Sequence, residues 1–243
     1  MTKFLDVILY ALIPVISIVL GGIVGLFRKP SGVFRSSVLH FAAGVVFSVV
    51  AVELLPDIIK EHKPIEVGIG FGLGIVTMLF IKYFAEKFES KGEENRNAKA
   101  LPMGLLIALG IDMVIDGLLL GVGFAAGNIE GILLSIALAF EVFSLGLAVV
   151  LACSKSNISK QKNLIILFVL GLMFFAGAVL GITLLSSLSQ EMLELVLSFG
   201  LAALLFLVTE ELLIEAHEEK ETLLQTSMFF IGFLIFLLVG MVT

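Results

Sequence analysis

Eight long apolar runs fill most of this 243-residue chain and leave few alternatives for its fold. A helix that crosses the hydrocarbon of a bilayer needs about 20 mainly apolar residues. The runs lie at about 5–27, 33–56, 65–86, 100–124, 131–153, 163–187, 192–214 and 222–242. Charged or turn-forming breaks separate them: Arg28 to Gly32, Lys60 to Pro64, Glu86 to Lys99, Gly127 to Glu130, Ser154 to Lys162, Ser186 to Glu191 and Glu215 to Glu221. Unbroken apolar runs of this length read as helices, because the alternating pattern of a membrane barrel is absent. The expected fold is all-α: a polytopic membrane protein with eight transmembrane helices, forming a single transmembrane domain over residues 1–243. The first run reads as a retained span. It is uncharged from Val7 to Phe27, has no small-residue cleavage site, and is stopped by Arg28 and Lys29.

Composition narrows the function. The chain is 59% hydrophobic and only 15% charged, where a soluble domain is about a quarter charged. That excludes a soluble enzyme, a nucleic-acid binder and a disordered chain. A single cysteine, Cys153, rules out a disulfide framework and a cysteine-based zinc site. A net charge of −6 argues against polybasic contact with lipid headgroups or nucleic acid. The expected surroundings are membrane lipid and small ions, with no organic cofactor.

Basic residues set the orientation, because they favour the cytoplasmic side. Twelve of the 15 Lys and Arg lie in or beside the first, third, fifth and seventh connections, and three, Lys3, Lys60 and Lys63, lie on the opposite side. Both termini are therefore expected outside the cell membrane.

The second and seventh spans match at an offset of 158. Phe41-Ala42-Ala43-Gly44 lies over Phe199-Gly200-Leu201-Ala202, and Glu53-Leu54-Leu55-Pro56-Asp57 over Glu211-Leu212-Leu213-Ile214-Glu215. Leu20-Gly21 and Leu180-Gly181, and Gly70-Phe71 and Gly232-Phe233, fall near the same offset. Helices 1–3 thus echo helices 6–8 around a helix 4–5 pair. The second span runs outward and the seventh inward, so the repeat is inverted, a common transporter build with its site near the midplane.

Asp112 and Asp116 are the only charges between Lys99 and Glu130, and Glu141 is the only one between Glu130 and Lys155. At about 1.5 Å per residue, Asp112 and Glu141 fall near the middle of the membrane. Asp112 and Asp116 share a helix face. A central charge costs about 2.5–3.5 kcal/mol on insertion scales, and neighbouring carboxylates repel. Three acids with no base at their depth point to a divalent cation, in exchange with protons. The same depth count puts Glu53 near the outer mouth, and Glu210, Glu211, Glu215 and His217 near the inner mouth. Gly117-x-x-x-Gly121 and Gly123-x-x-x-Gly127 are small-residue packing motifs.

The whole chain resembles the ZIP (Zrt/Irt-like) family of divalent metal transporters. Glu53-Leu54-Leu55-Pro56-Asp57 is similar to that family's His-Leu-Leu-Pro-Glu in the second helix. Asp112-Met113-Val114-Ile115-Asp116-Gly117 is similar to its fourth-helix metal motif His-Asn-x-Pro-Asp/Glu-Gly. Glu141-Val142-Phe143-Ser144-Leu145-Gly146 falls where the fifth helix has His-x-x-Pro-Glu-Gly. Asp112 and Glu141 replace histidines, Ile115 and Ser144 replace prolines, and Leu145 replaces an acid that helps to bridge two metals. The resemblance implies transport of zinc, manganese, iron or a similar ion through one site made of Asp112, Asp116 and Glu141 with Met113. It also implies a homodimer. Carboxylates suit harder ions, whereas imidazole and thiolate suit zinc. Two other readings remain open at this point. One is a ZIP-fold protein that binds metal without moving it. The other is an intramembrane metalloprotease, for which Glu215 stands where an arginine is needed.

Overall fold

The computed structural model describes residues 2–27, 31–94, 103–155, 158–185, 188–218 and 222–241. All the described elements are helical, and eight helices are long and apolar enough to cross a membrane. α1 is Thr2–Phe27 and α3 is Pro64–Glu94. α4 is Met103–Ala126, α5 is Asn128–Lys155, α6 is Lys160–Leu185 and α8 is Leu223–Gly240. α2 is helical over Gly32–Val49, widens to a π turn over Val50–Leu54, and resumes over Leu55–Lys60. α7 does the same: Gln190–Phe206, a π turn over Leu207–Leu212, then Leu213–Ala216.

The expected spans and these helices agree closely except at the end of α3. That helix runs past residue 86 to Glu94. Charge ends an apolar run but not a helix, since Glu, Lys and Ala are all good helix formers. The expected breaks at Arg28 to Pro30, and from residue 95 to Pro102, lie outside the described residues.

Helix packing follows the exchange of α1 with α6, α2 with α7, α3 with α8 and α4 with α5. The most extensive pairings are α1–α5 with α4–α6, and α2–α8 with α3–α7. Each pair maps onto its companion. Burial obeys the same exchange: the apolar windows of α3 and α8 are each 17% buried, and those of α2 and α7 each 61%. One contact departs from it. α3 packs against α4, while α5 and α8 have no comparable packing.

Small residues seat these pairs. A methyl group on Gly74 would collide with Phe199 and Ala202 of α7, and one on Gly232 with Phe41 of α2. These two seats lie at the same 158-residue offset as the sequence repeat. Gly117 and Gly121 pack against α6 at Gly177 and Gly181, whereas Gly123 faces Leu134 and Gly131 of α5. Without a water-driven hydrophobic effect between them, helices in lipid associate through such close contacts and through hydrogen bonds. The α1–α5 seam shows the second kind. Pro14 lacks an N–H, so the Tyr10 carbonyl loses its partner four residues on. The Ser135 hydroxyl donates to that carbonyl at 2.7 Å, and Ser17 donates to Ala139 O at 2.6 Å.

Candidate functional site

Toward the end of the bundle that the basic bias assigns to the cytosol, a cavity of about 300 Å³ opens among α2, α3, α4, α5 and α7. Five acids line it: Asp112, Glu141, Glu210, Glu211 and Glu215, with Lys82 also on the wall. Two of the five are held by bases. Lys82 Nζ meets Glu210 Oε2 at 2.7 Å, and Arg35 is ion-paired with Glu215. Both bases come from the cytosol-assigned ends of α3 and α2.

The inner end of the cavity is different. The side chains of Asp112 and Glu211 are in hydrogen-bonding contact. Two carboxyls that touch must share either a proton or a cation, since like charges at that range repel strongly. Glu141 lies within Coulombic reach of both. Asp116, one turn beyond Asp112, is 1% exposed and does not line the cavity. Its Oδ2 has no hydrogen-bond partner, and neither does Oε2 of Glu141, which is 4% exposed. Buried polar atoms are nearly always partnered, and these two carboxylate oxygens have no partner within the protein. Met113, by contrast, is fully buried in the apolar core and does not line the cavity.

The sequence model of the ZIP zinc transporter family matches residues 85–240. This chain belongs to that family. The match covers α4, α5 and α7, which carry the inner acids. No individual curated protein matches the chain. The ZIP family is one of transmembrane metal-ion transporters and not of enzymes.

Within this ZIP chain the sequence-derived site residues separate into three groups. Asp112, Glu141 and Glu211 meet at the inner end of the cavity, with Asp116 behind them. Glu210 and Glu215 stand along the wall in ion pairs. Glu53 lies elsewhere, half-buried in the π turn of α2, where its carboxylate would meet any side-chain atom added at Gly240 of α8. Among the described residues, no three of His, Cys, Asp and Glu converge tightly enough to hold a bare metal ion. The acids ring the cavity instead of closing on a point.

Sequence reasoning passed over four residues. Lys82 and Arg35 read as loop-flanking bases, yet they neutralise acids 128 and 180 positions away. Glu194 reads as a solvated helix end, yet it is 3% exposed with an unpartnered Oε2. His40 carried no signal beyond its rarity. It is 2% exposed, and its ring packs edge-on against that of His217.

Proposed function

We propose that this ZIP protein carries divalent metal cations of the zinc, manganese or iron type across the cell membrane, with one ion held among Asp112, Glu141 and Glu211. The observation that supports this reading is the pair of touching carboxyls, Asp112 and Glu211, in the wall of an acid-lined cavity. The cavity volume equals about ten waters at roughly 30 Å³ each. A cation would keep part of its hydration there, and the carboxylates would supply the remaining oxygen ligands. Loose ligation of this kind suits cargo, which must leave as well as bind. Asp116 contributes charge from behind, and Met113 no direct ligand. Departure of the ion would leave the carboxyls to take up protons, so metal and protons would exchange. A homodimer, and both termini outside, belong to the same proposal.

Uptake of a panel of divalent ions into proteoliposomes tests the reading, with Asp112→Asn and Asp116→Asn as comparisons. Both substitutions keep the side-chain shape and remove a charge. Transport is expected to vanish in each, while metal-free thermal stability stays level or rises as like-charge repulsion is relieved. Stabilisation by added metal, which follows from binding to the folded state alone, should vanish with transport. Undiminished uptake in both variants, or wild type that no ion stabilises, would leave only the fold of a metal transporter. Orientation has its own test. Cys153 is 1% exposed, so a single Gly92→Cys should stay unlabelled by impermeant thiol reagents in intact cells. Ready labelling there would reverse the topology.

A further inference from the structure

Beside the mouth of the cavity, α2 and the end of α7 are tied together three times over. Arg35 pairs with Glu215. The Ser36 hydroxyl donates to Ala216 O at 2.7 Å. The rings of His40 and His217 meet with their centres 5.2 Å apart at 63°. None of the three contacts involves the carboxylates at the inner end of the cavity.

The two histidines share one hydrogen-bond arrangement. His40 Nδ1 lies 2.9 Å from Ser36 O, and His217 Nδ1 contacts Leu213 O. Each carbonyl is four residues back on the same helix. A carbonyl only accepts, so both rings carry their proton on Nδ1 when neutral and their lone pair on Nε2. Histidines that ligate metals are usually held this way, with one ring N–H donated to a carbonyl and the other nitrogen turned to the ion. Nε2 of His40 is buried and has no partner, in a ring only 2% exposed. A buried ring nitrogen without a partner is costly. The ring separation fits a shared ion. With metal–nitrogen bonds of about 2.0–2.1 Å, each ring centre stands about 3.2 Å from the ion, and two rings on a tetrahedral ion are about 5 Å apart.

We infer that His40 and His217 form a two-imidazole site for a transition-metal ion at the cytosol-assigned mouth of the cavity. The inference rests on the metal-transport reading and extends it to the class of cargo. Imidazole nitrogens favour zinc, iron and copper over magnesium and calcium, which prefer oxygen. Two protein ligands completed by water bind more loosely than a closed site of three or four. An ion can therefore pass from the carboxylates to the imidazoles and be released from there.

Zinc binding to the purified protein in nanodiscs tests this, with His40→Gln and His217→Gln singly and together. His217 is exposed, so its substitution leaves the fold intact. Each single variant should lose the same equivalent of zinc, or bind it at least tenfold more weakly. The double variant should lose no more than either single one, and magnesium binding should not change. Full zinc binding in His217→Gln, or losses that add in the double variant, would overturn the pairing. Zinc-edge X-ray absorption of Asp112→Asn/Glu141→Gln loaded with one equivalent of zinc gives a second readout. Scattering from two imidazoles is expected, and an oxygen-only shell would sink the proposal. Binding in nanodiscs and uptake in vesicles are independent measurements. Failure of the imidazole site with uptake retained would leave the transport reading intact. Failure of uptake with the imidazole signature present would remove transport alone.

Discussion

The two π turns of this protein are the same distortion put to different use. Val50–Leu54 in α2 and Leu207–Leu212 in α7 occupy matching positions in the two repeats, and each carries a repeat-equivalent acid, Glu53 or Glu211. In α7 the acid faces the cavity and touches Asp112 of α4. In α2 it lies against Gly240 of α8, within Coulombic reach of Glu130 and Asp57. Proline does not explain the turns, because Pro56 follows the first and Ile214 stands at the matching place after the second. π turns cluster at functional positions. The comparison teaches that the repeat supplies two equivalent acids, and that the packing of neighbouring helices decides which one is presented to the cavity.

The sharpest way to break the comparison is to neutralise each acid in turn. Glu211→Gln should lower divalent uptake at least tenfold, at saturating as well as at low metal. Equal losses from Glu53→Gln and Glu211→Gln would mean that the two turns do the same work. The packing seats should behave alike where the acids do not. Gly74→Leu and Gly232→Leu overfill equivalent contacts, so each should destabilise by about 1–3 kcal/mol, and their melting temperatures should fall together. A large difference between them would show that the repeat is only approximate at its seams. Glu53→Gln should reduce uptake a few-fold, only at low metal and low salt, because a mouth charge acts by concentrating ions and is screened within about 8–10 Å. The smallest effect belongs to Lys82→Met. Its ion pair with Glu210 is partly exposed, and pairs of that kind contribute about 0–1 kcal/mol. A melting temperature close to wild type is expected. A large drop would assign the pair a structural role.

Much of this was legible from the residues alone. Span number and limits follow from apolar run length, because lipid leaves backbone groups no partner but one another. Asp112, Asp116 and Glu141 stand out because charge is scarce in the fourth and fifth spans. Glu211 was legible as a path residue but not as a neighbour of Asp112. Counting 1.5 Å per residue along straight helices leaves out helix tilt, the wide π turn and side-chain reach. Lys82 and Arg35 escaped for another reason. Their partners are remote in sequence, and only the packing of α3 and α2 against α7 reveals them. The orphaned Nε2 of His40 is likewise a property of packing, with no pattern in the sequence to announce it.

The exchange pattern of the helix pairs bears on how the chain is made. α1, α2 and α3 have no substantial packing with one another; their main partners are α5, α8 and α7. Each can sit alone in the bilayer with its backbone satisfied, so insertion does not wait for assembly. But α2 enters the membrane carrying Ser36, His40 and Glu53, and the segments that cover them, α7 and α8, emerge from the ribosome only after α6. A nascent chain halted before α7 would hold these polar groups against lipid, at the stage when membrane quality control inspects it. Truncation after α6 should therefore yield a protein that is inserted, correctly threaded and rapidly degraded.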